Sequence, residues 1–147
     1  MKRRQFAALL TSAVLPFIVS GHALAAPTTI KGAAILDNPC GKVSVKQMGL
    51  VHAGKFDEGN KLSTKEMQDQ WKAMPAKDRT MMSGMAKEMS QTEAQYTADI
   101  KANGVLVVDG DAATLTIKKE TKDKNGTSTS TTTQKFKLVG NECLISR

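Results

Sequence analysis

Apolar residues change their spacing partway along the chain. Up to about residue 95 they recur every three or four positions, as on a helix face; beyond it they alternate with polar residues, as on a strand. A first helix is expected from Pro39 to Ala53. Pro39 suits a first helical turn, Val43, Met48, Leu50 and Val51 form a loose apolar face, and Gly54 is a stop. Phe56 to Leu62 reads as a further short turn of helix. Ser63, with Glu66 three residues on, has the Ser-x-x-Glu form of a capping box. The helix it opens puts Met67, Trp71 and Met74 on one side, and Pro75 ends it. The next helix carries Met81, Met82, Met85, Ala86 and Met89 on one side and fades by about Gln95.

Three turn signals divide the second half: Asp109-Gly110, Asn125-Gly126 and Gly140-Asn141. Taken as two-residue loops, they set three registers. The first pairs Leu106 with Ala113. The second pairs Leu115 with Phe136, Ala113 with Leu138 and Ile117 with Gln134. The third pairs Leu138 with Cys143 and Phe136 with Ile145. All three put Leu106, Ala113, Leu115, Ile117, Phe136, Leu138, Cys143 and Ile145 on one face. A slip of one residue scatters that set, so the agreement predicts a four-stranded antiparallel meander. Its apolar face needs a cover, which only the helices of residues 40–95 can supply. The expected fold class is α+β: N-terminal short helices packed on one face of a C-terminal four-stranded antiparallel meander. Residues 39–147 form one domain. Residues 26–38, with Pro27 and Gly32 and no clean period, read as a flexible lead-in.

The first 25 residues have another character. Lys2, Arg3 and Arg4 precede an apolar run from Phe6 to Val19, and Ala23-Leu24-Ala25 closes the segment. These are the three parts of a secretory signal peptide. The run is shorter than the roughly 20 residues of a membrane span. Cleavage is expected after Ala25, or after Ala26, with the protein then periplasmic or secreted and without a membrane span. Arg3-Arg4-Gln5-Phe6 is similar to the twin-arginine signal, which leaves the export route open. Three of the 21 Lys+Arg leave with residues 1–25. The remaining 18 face 14 acids, and the net charge falls from +7 to +4. The lysines are scattered and only 4% of residues are aromatic, so there is no nucleic-acid footprint.

Cys40 and Cys143 are the only cysteines, and export puts them in an oxidising space, where a disulfide is expected. The alternative is two buried free thiols. Closing a loop of about 100 residues stabilises by roughly 4–5 kcal/mol in the chain-entropy description. Zinc wants four ligands, and His52 is the one histidine left after cleavage, so no metal or cofactor is expected.

Short helices lead to Val108-Asp109-Gly110-Asp111-Ala112-Ala113-Thr114-Leu115, then a hairpin, then Phe136-Lys137-Leu138-Val139 and a last strand ending near Ile145. Over about residues 40–147 this order resembles the small secreted bacterial domains of the nuclear transport factor 2-like superfamily, the cystatin-like α+β roll. Such domains often end in Trp-x-Ile; here Cys143 holds the Trp position. The resemblance implies a cone-shaped space between sheet and helices where an apolar ligand sits. It does not choose a function, because the superfamily spans enzymes, ligand-binding modules and inhibitory or accessory proteins.

Met81, Met85 and Met89 stand at i, i+4 and i+8. They read as core packing, as soft thioether ligands for Cu(I) with His52 adding a nitrogen, or as an adaptable apolar surface. Met48, Met67 and Met74 on the other helices favour core packing. The candidate ligand-binding set is Trp71, Met81, Met85 and Met89 from the helices, facing Leu115 and Phe136 from the sheet. Catalysis would rest on His52 with Asp57 or Glu58 nearby. The inward sheet face carries no carboxylate, His or Lys in the registers above, and no phosphate loop or nucleophile elbow is present, so no enzyme is expected. The Ser/Thr run Thr127–Thr133, facing Lys118, Lys119, Glu120, Lys122 and Lys124, makes a two-faced polar ribbon projecting into water. The expectation is an exported binding module with a small apolar ligand held between helices and sheet. The alternative is an inhibitor or immunity-type partner of another exported protein, docking through the ribbon.

Overall fold

The computed structural model describes residues 26–147 apart from Asn125; the expected signal peptide lies outside the described residues. In chain order the elements are β1 (Thr28–Lys31), a 3-10 helix (Gly32–Asp37), α1 (Pro39–His52), α2 (Phe56–Asn60), α3 (Lys65–Ala73), α4 (Ala76–Met89), α5 (Glu93–Asn103), β2 (Gly104–Asp109), β3 (Ala112–Asp123), β4 (Gly126–Val139) and β5 (Glu142–Ser146). The class is α+β, with most helices ahead of an antiparallel sheet of order β1-β2-β3-β4-β5.

The face assignment holds although two of the three registers differ. Leu138 faces Cys143 and Phe136 faces Ile145, as the third turn requires. Leu106 faces Leu115, however, and Ala113 faces Phe136. Each of these two registers is offset by two residues from the expected one, which preserves which side every residue occupies. Turn chemistry explains the first offset. The β2–β3 loop is Gly110-Asp111, with Gly110 in the first loop position at φ +58°, as Gly140 is in the β4–β5 loop at φ +61°. That is the II′ arrangement, which wants glycine first; the Asp-Gly reading places it second. In the β3–β4 hairpin the last pair is Asp123 with Gly126. Of the expected inward set, Leu106, Ala113, Leu115, Ile117, Phe136, Cys143 and Ile145 are buried and Leu138 is half-buried.

The sheet has five strands, not four, and the expected lead-in supplies the fifth. Thr28-Thr29-Ile30, β-favouring residues, pair along β2 with Ile30 opposite Leu106. The 3-10 helix follows and drops Ile35 into the core at 0% exposure. At the other edge, the Ile145 amide donates to the Leu62 carbonyl (2.9 Å) and the Thr64 amide donates to the Ile145 carbonyl (2.8 Å). Ser63 is buried there, in a parallel bridge to Ile145. This is why it does not cap α3, whose N-cap is Thr64 with no side-chain hydrogen bond.

Five strands about 4.8 Å apart are roughly 19 Å across between the outer strand axes, and a helix with its side chains is about 10 Å wide. Two helices fill that width. They are α1, packed on β5, and α5, packed on β2 and β3. The sequence reading missed α5 by ending the helical half near Gln95. The chain breaks after Met89 and restarts with a capping box, in which the Thr92 hydroxyl accepts from the Gln95 amide and the Gln95 side chain accepts from the Thr92 amide. Tyr96 and Ile100, one turn apart, are buried. The other helix, α1, approaches through small residues: its buried positions are Cys40, Gly41 and Ser44, not the valine and leucine stripe. A Cβ on Gly41 would lie 1.9 Å from the Ile35 carbonyl oxygen. Cys40 and Cys143 form a disulfide (Cα–Cα 5.0 Å) that ties the start of α1 to β5. Two helices having filled the sheet face, α4 rests on α1 and α3 on α2. Among the described residues, no helix is long and apolar enough to cross a membrane.

Candidate functional site

The space expected between helices and sheet is occupied by side chains. Leu115 and Phe136 are each 1% exposed and pack in one cluster with Ile35, Ile100 and Leu106. They are core residues here, not the wall of an open cone. Met81, Met85 and Met89 lie elsewhere, on the exposed flank of α4, so the expected set of Trp71, three methionines, Leu115 and Phe136 is not brought together. Core packing for the α4 methionines is likewise overturned: Met81, Met82, Met85 and Met89 are 59, 46, 57 and 82% exposed. An amphipathic stripe predicts a helix with a face. It does not guarantee that a partner is left to cover that face.

An apolar cleft does exist, within the helical layer. It is about 240 Å³, bounded by Val51 of α1, Phe56 of α2, Met67 and Trp71 of α3, and Met82 and Ala86 of α4. Trp71 is its most constrained wall. The indole lies nearly parallel to Phe56 with ring centroids 6.4 Å apart, and its Nε1–H donates to Asp57 Oδ1 at 3.0 Å. The ring is thus held by Phe56 on one face and by a solvent-exposed hydrogen bond at its nitrogen. On the far side of the pair is a more polar cleft of about 370 Å³, where Phe56 and Trp71 meet Asp57, Arg79 and Ser83. The aromatic pair therefore partitions an apolar space from a polar one.

The apolar cleft is linked to the sheet by a chain of hydrogen bonds. The Tyr96 hydroxyl and Ser44 Oγ are 2.8 Å apart, Ser44 donates to Gln134 Oε1, and Gln134 Nε2 donates to Gln47 Oε1 at 2.6 Å. Since the Ser44 proton goes to Gln134, Tyr96 donates to Ser44. Gln47, at the end of the chain, lines the cleft. Burial pushes the Tyr96 phenol above its ordinary pKa.

A larger groove of about 580 Å³ runs between α1 and α5, with Leu36, Val45 and Leu50 as floor and Lys42, Lys46 and Lys55 around it. Both this groove and the apolar cleft are partly open to solvent, and they differ in lining: lysines rim the groove, whereas apolar and aromatic walls converge on the cleft, the stronger sign of a ligand site.

The expected catalytic grouping is not assembled. His52 is exposed, and its Nδ1 lies 3.3 Å from Ser90 Oγ. Asp57 accepts from Trp71, and Glu58 sits 3.9 Å from Lys55. Contrary to expectation, the inward sheet face does carry a lysine, on the same parity as Leu115 and Ile117 in the expected registers and the observed ones alike. Lys119, next on that side after Ile117, meets Asp99 of α5 at 3.1 Å. Asp99 is held below its usual pKa by Gln91 first and Lys119 second, against partial burial. Among the described residues, no group of three or more His, Cys, Asp or Glu is placed to hold a metal ion.

The polar ribbon is present. Lys118 pairs with Thr131, Lys119 with Ser130 and Lys122 with Thr127. β2 ends its pairing at Ile117 and β5 reaches only Lys135, so residues 118–123 and 126–131 pair solely with each other. Comparison with protein-family profiles, with curated proteins and with solved structures finds no match to this chain.

Proposed function

We propose that this protein is an exported, non-enzymatic binding module, and that its ligand is a small apolar molecule held in the cleft of Val51, Phe56, Met67, Trp71 and Met82. The observation that carries the reading is an aromatic wall held by stacking and a hydrogen bond, facing an unfilled apolar space in a molecule whose sheet-side core is filled. At about 240 Å³ the cleft lies just under the roughly 300–1,000 Å³ typical of ligand sites, so it suits a short acyl chain or a single ring. Gln47 supplies a polar group at the inner end. The Cys40–Cys143 bridge supports an oxidising compartment, and with the N-terminal segment it supports export. Helices over one face of an antiparallel sheet support the likeness to the α+β roll domains, which belongs to this proposal.

Trp71 is the only tryptophan and reports directly on the cleft. Titration with octanoate is expected to shift its emission saturably, and Ala86→Phe, which fills the cleft and leaves the reporter in place, to weaken binding about tenfold or more. Unchanged emission in the native protein, or equal affinity in the Phe variant, overturns the reading.

A second reading, docking to another exported protein, is favoured by the ribbon at residues 118–131, which stands clear of both flanking strands. A stoichiometric partner lost on shortening the ribbon, and retained in Ala86→Phe, would select it.

A further inference from the structure

We propose that α4 carries, on its exposed side beside the rim of the Trp71 cleft, a thioether site for a soft monovalent cation, Cu(I), with Met81, Met82 and Met85 as ligands. Met85 is one helical turn from both others, at i+4 from Met81 and i+3 from Met82. Side chains so spaced have Cβ atoms about 5–6 Å apart. Methionine is unbranched with three rotatable bonds, so three thioethers starting from that triangle can converge on one ion. Met81 to Met89 is a different case. Eight residues are about 12 Å along the axis, too far for one ion to share both sulfurs. Met89 is therefore not in the primary set.

All three side chains are accessible, at 59, 46 and 57% exposure, and need no unpacking to bind. Their exposure costs apolar free energy that neither sheet nor neighbouring helix recovers. Softer competitors are absent: among the described residues no thiol is free, since Cys40 and Cys143 are bonded to each other. Neutral thioethers select Cu(I) over harder divalent ions. They also bind without losing a proton, so affinity is flat over roughly pH 5 to 8, where a histidine ligand would titrate. His52 is hydrogen-bonded to Ser90 and is not required.

The test is anaerobic competition for Cu(I) against bathocuproine disulfonate, on disulfide-intact protein with ascorbate as reductant. Native protein is expected to take one Cu(I), with sulfur-only coordination by X-ray absorption and no pH dependence. The Met81→Leu/Met85→Leu double variant keeps helix propensity and apolar area and removes only the thioethers. Its affinity should fall about tenfold or more; Met89→Leu should leave affinity unchanged. Absence of Cu(I) binding by native protein, equal binding by the double variant, or affinity that drops in acid overturns the proposal. Met82 borders the Trp71 cleft but Met81 and Met85 do not, so octanoate binding by the metal-free protein stays intact in the double variant and the two readings can fail separately.

Discussion

The sheet with α1 and α5, and the arm formed by α3 and α4, are built from the same kinds of residue to opposite ends. In the first region, large apolar side chains are enclosed: Ile35, Ile100 and Leu106 have no exposed surface. In the second, α3 and α4 have no fully buried residue, and four methionines of α4 face solvent. The difference lies in what each helix has left to pack on. The sheet offers room for two helices, and α1 and α5 take it. The arm is left with the flank of α1 and a cleft. Burial is therefore concentrated in one region and exposed apolar surface in the other.

The sharpest way to break this comparison is to truncate one side chain in each region. Phe136→Ala should cost about 3–5 kcal/mol in urea unfolding, from lost burial and the cavity left behind. Met85→Ala should stay within about 0.5 kcal/mol. Similar costs would mean that α4 is packed far more tightly than its exposure indicates. A smaller contrast comes from glycines. Gly41→Ala drives a Cβ into the Ile35 carbonyl and should destabilise by about 1–3 kcal/mol. Gly84, in mid-α4, has no atom within 4 Å of its would-be Cβ, so Gly84→Ala should stabilise by up to about 1 kcal/mol through helix propensity alone. Denaturation midpoints moving in opposite directions would bear this out; a common direction would contradict it.

The smallest effect is at alkaline pH. The folded state raises the Tyr96 pKa above its ordinary value of 10.0, chiefly by burial. The unfolded chain therefore releases the phenol proton first. This stabilisation is complete below the unfolded value and is lost as pH climbs from there through the folded value. Tyr96→Phe should lose about 1 kcal/mol at neutral pH with the bond to Ser44, and should lose less than the native protein on going above pH 10. Equal alkaline slopes for the two proteins would assign the decline to other groups.

Much of the sheet was legible in the sequence because strand faces depend on parity. Two registers were displaced by two residues, yet Leu106, Ala113, Leu115, Ile117, Phe136 and Ile145 still turned inward. β1 was not legible. Its partner β2 lies more than 70 residues on, with no turn to link them, and Thr28-Thr29-Ile30-Lys31 is too short to show a period. α5 hid for another reason. It offers only Tyr96 and Ile100 as large buried residues, but Thr92-x-x-Gln95 is a capping box in plain sequence and would have found it. The expected site does not assemble: Trp71 borders a cleft within the helical layer, while Leu115 and Phe136, expected across the same space from it, lie in the filled core.

Residue order by itself determined which side of each sheet residue is apolar, where the helices near Gly54 and Pro75 stop, and which two sulfurs can join. These follow from backbone period, local φ preference and the presence of only two cysteines. Tertiary structure alone decided which apolar stripe is covered. Periodicity is a property of one segment, while burial is a competition among segments for a limited area. With α1 and α5 filling the sheet, the methionines of α4 had no surface left to cover them.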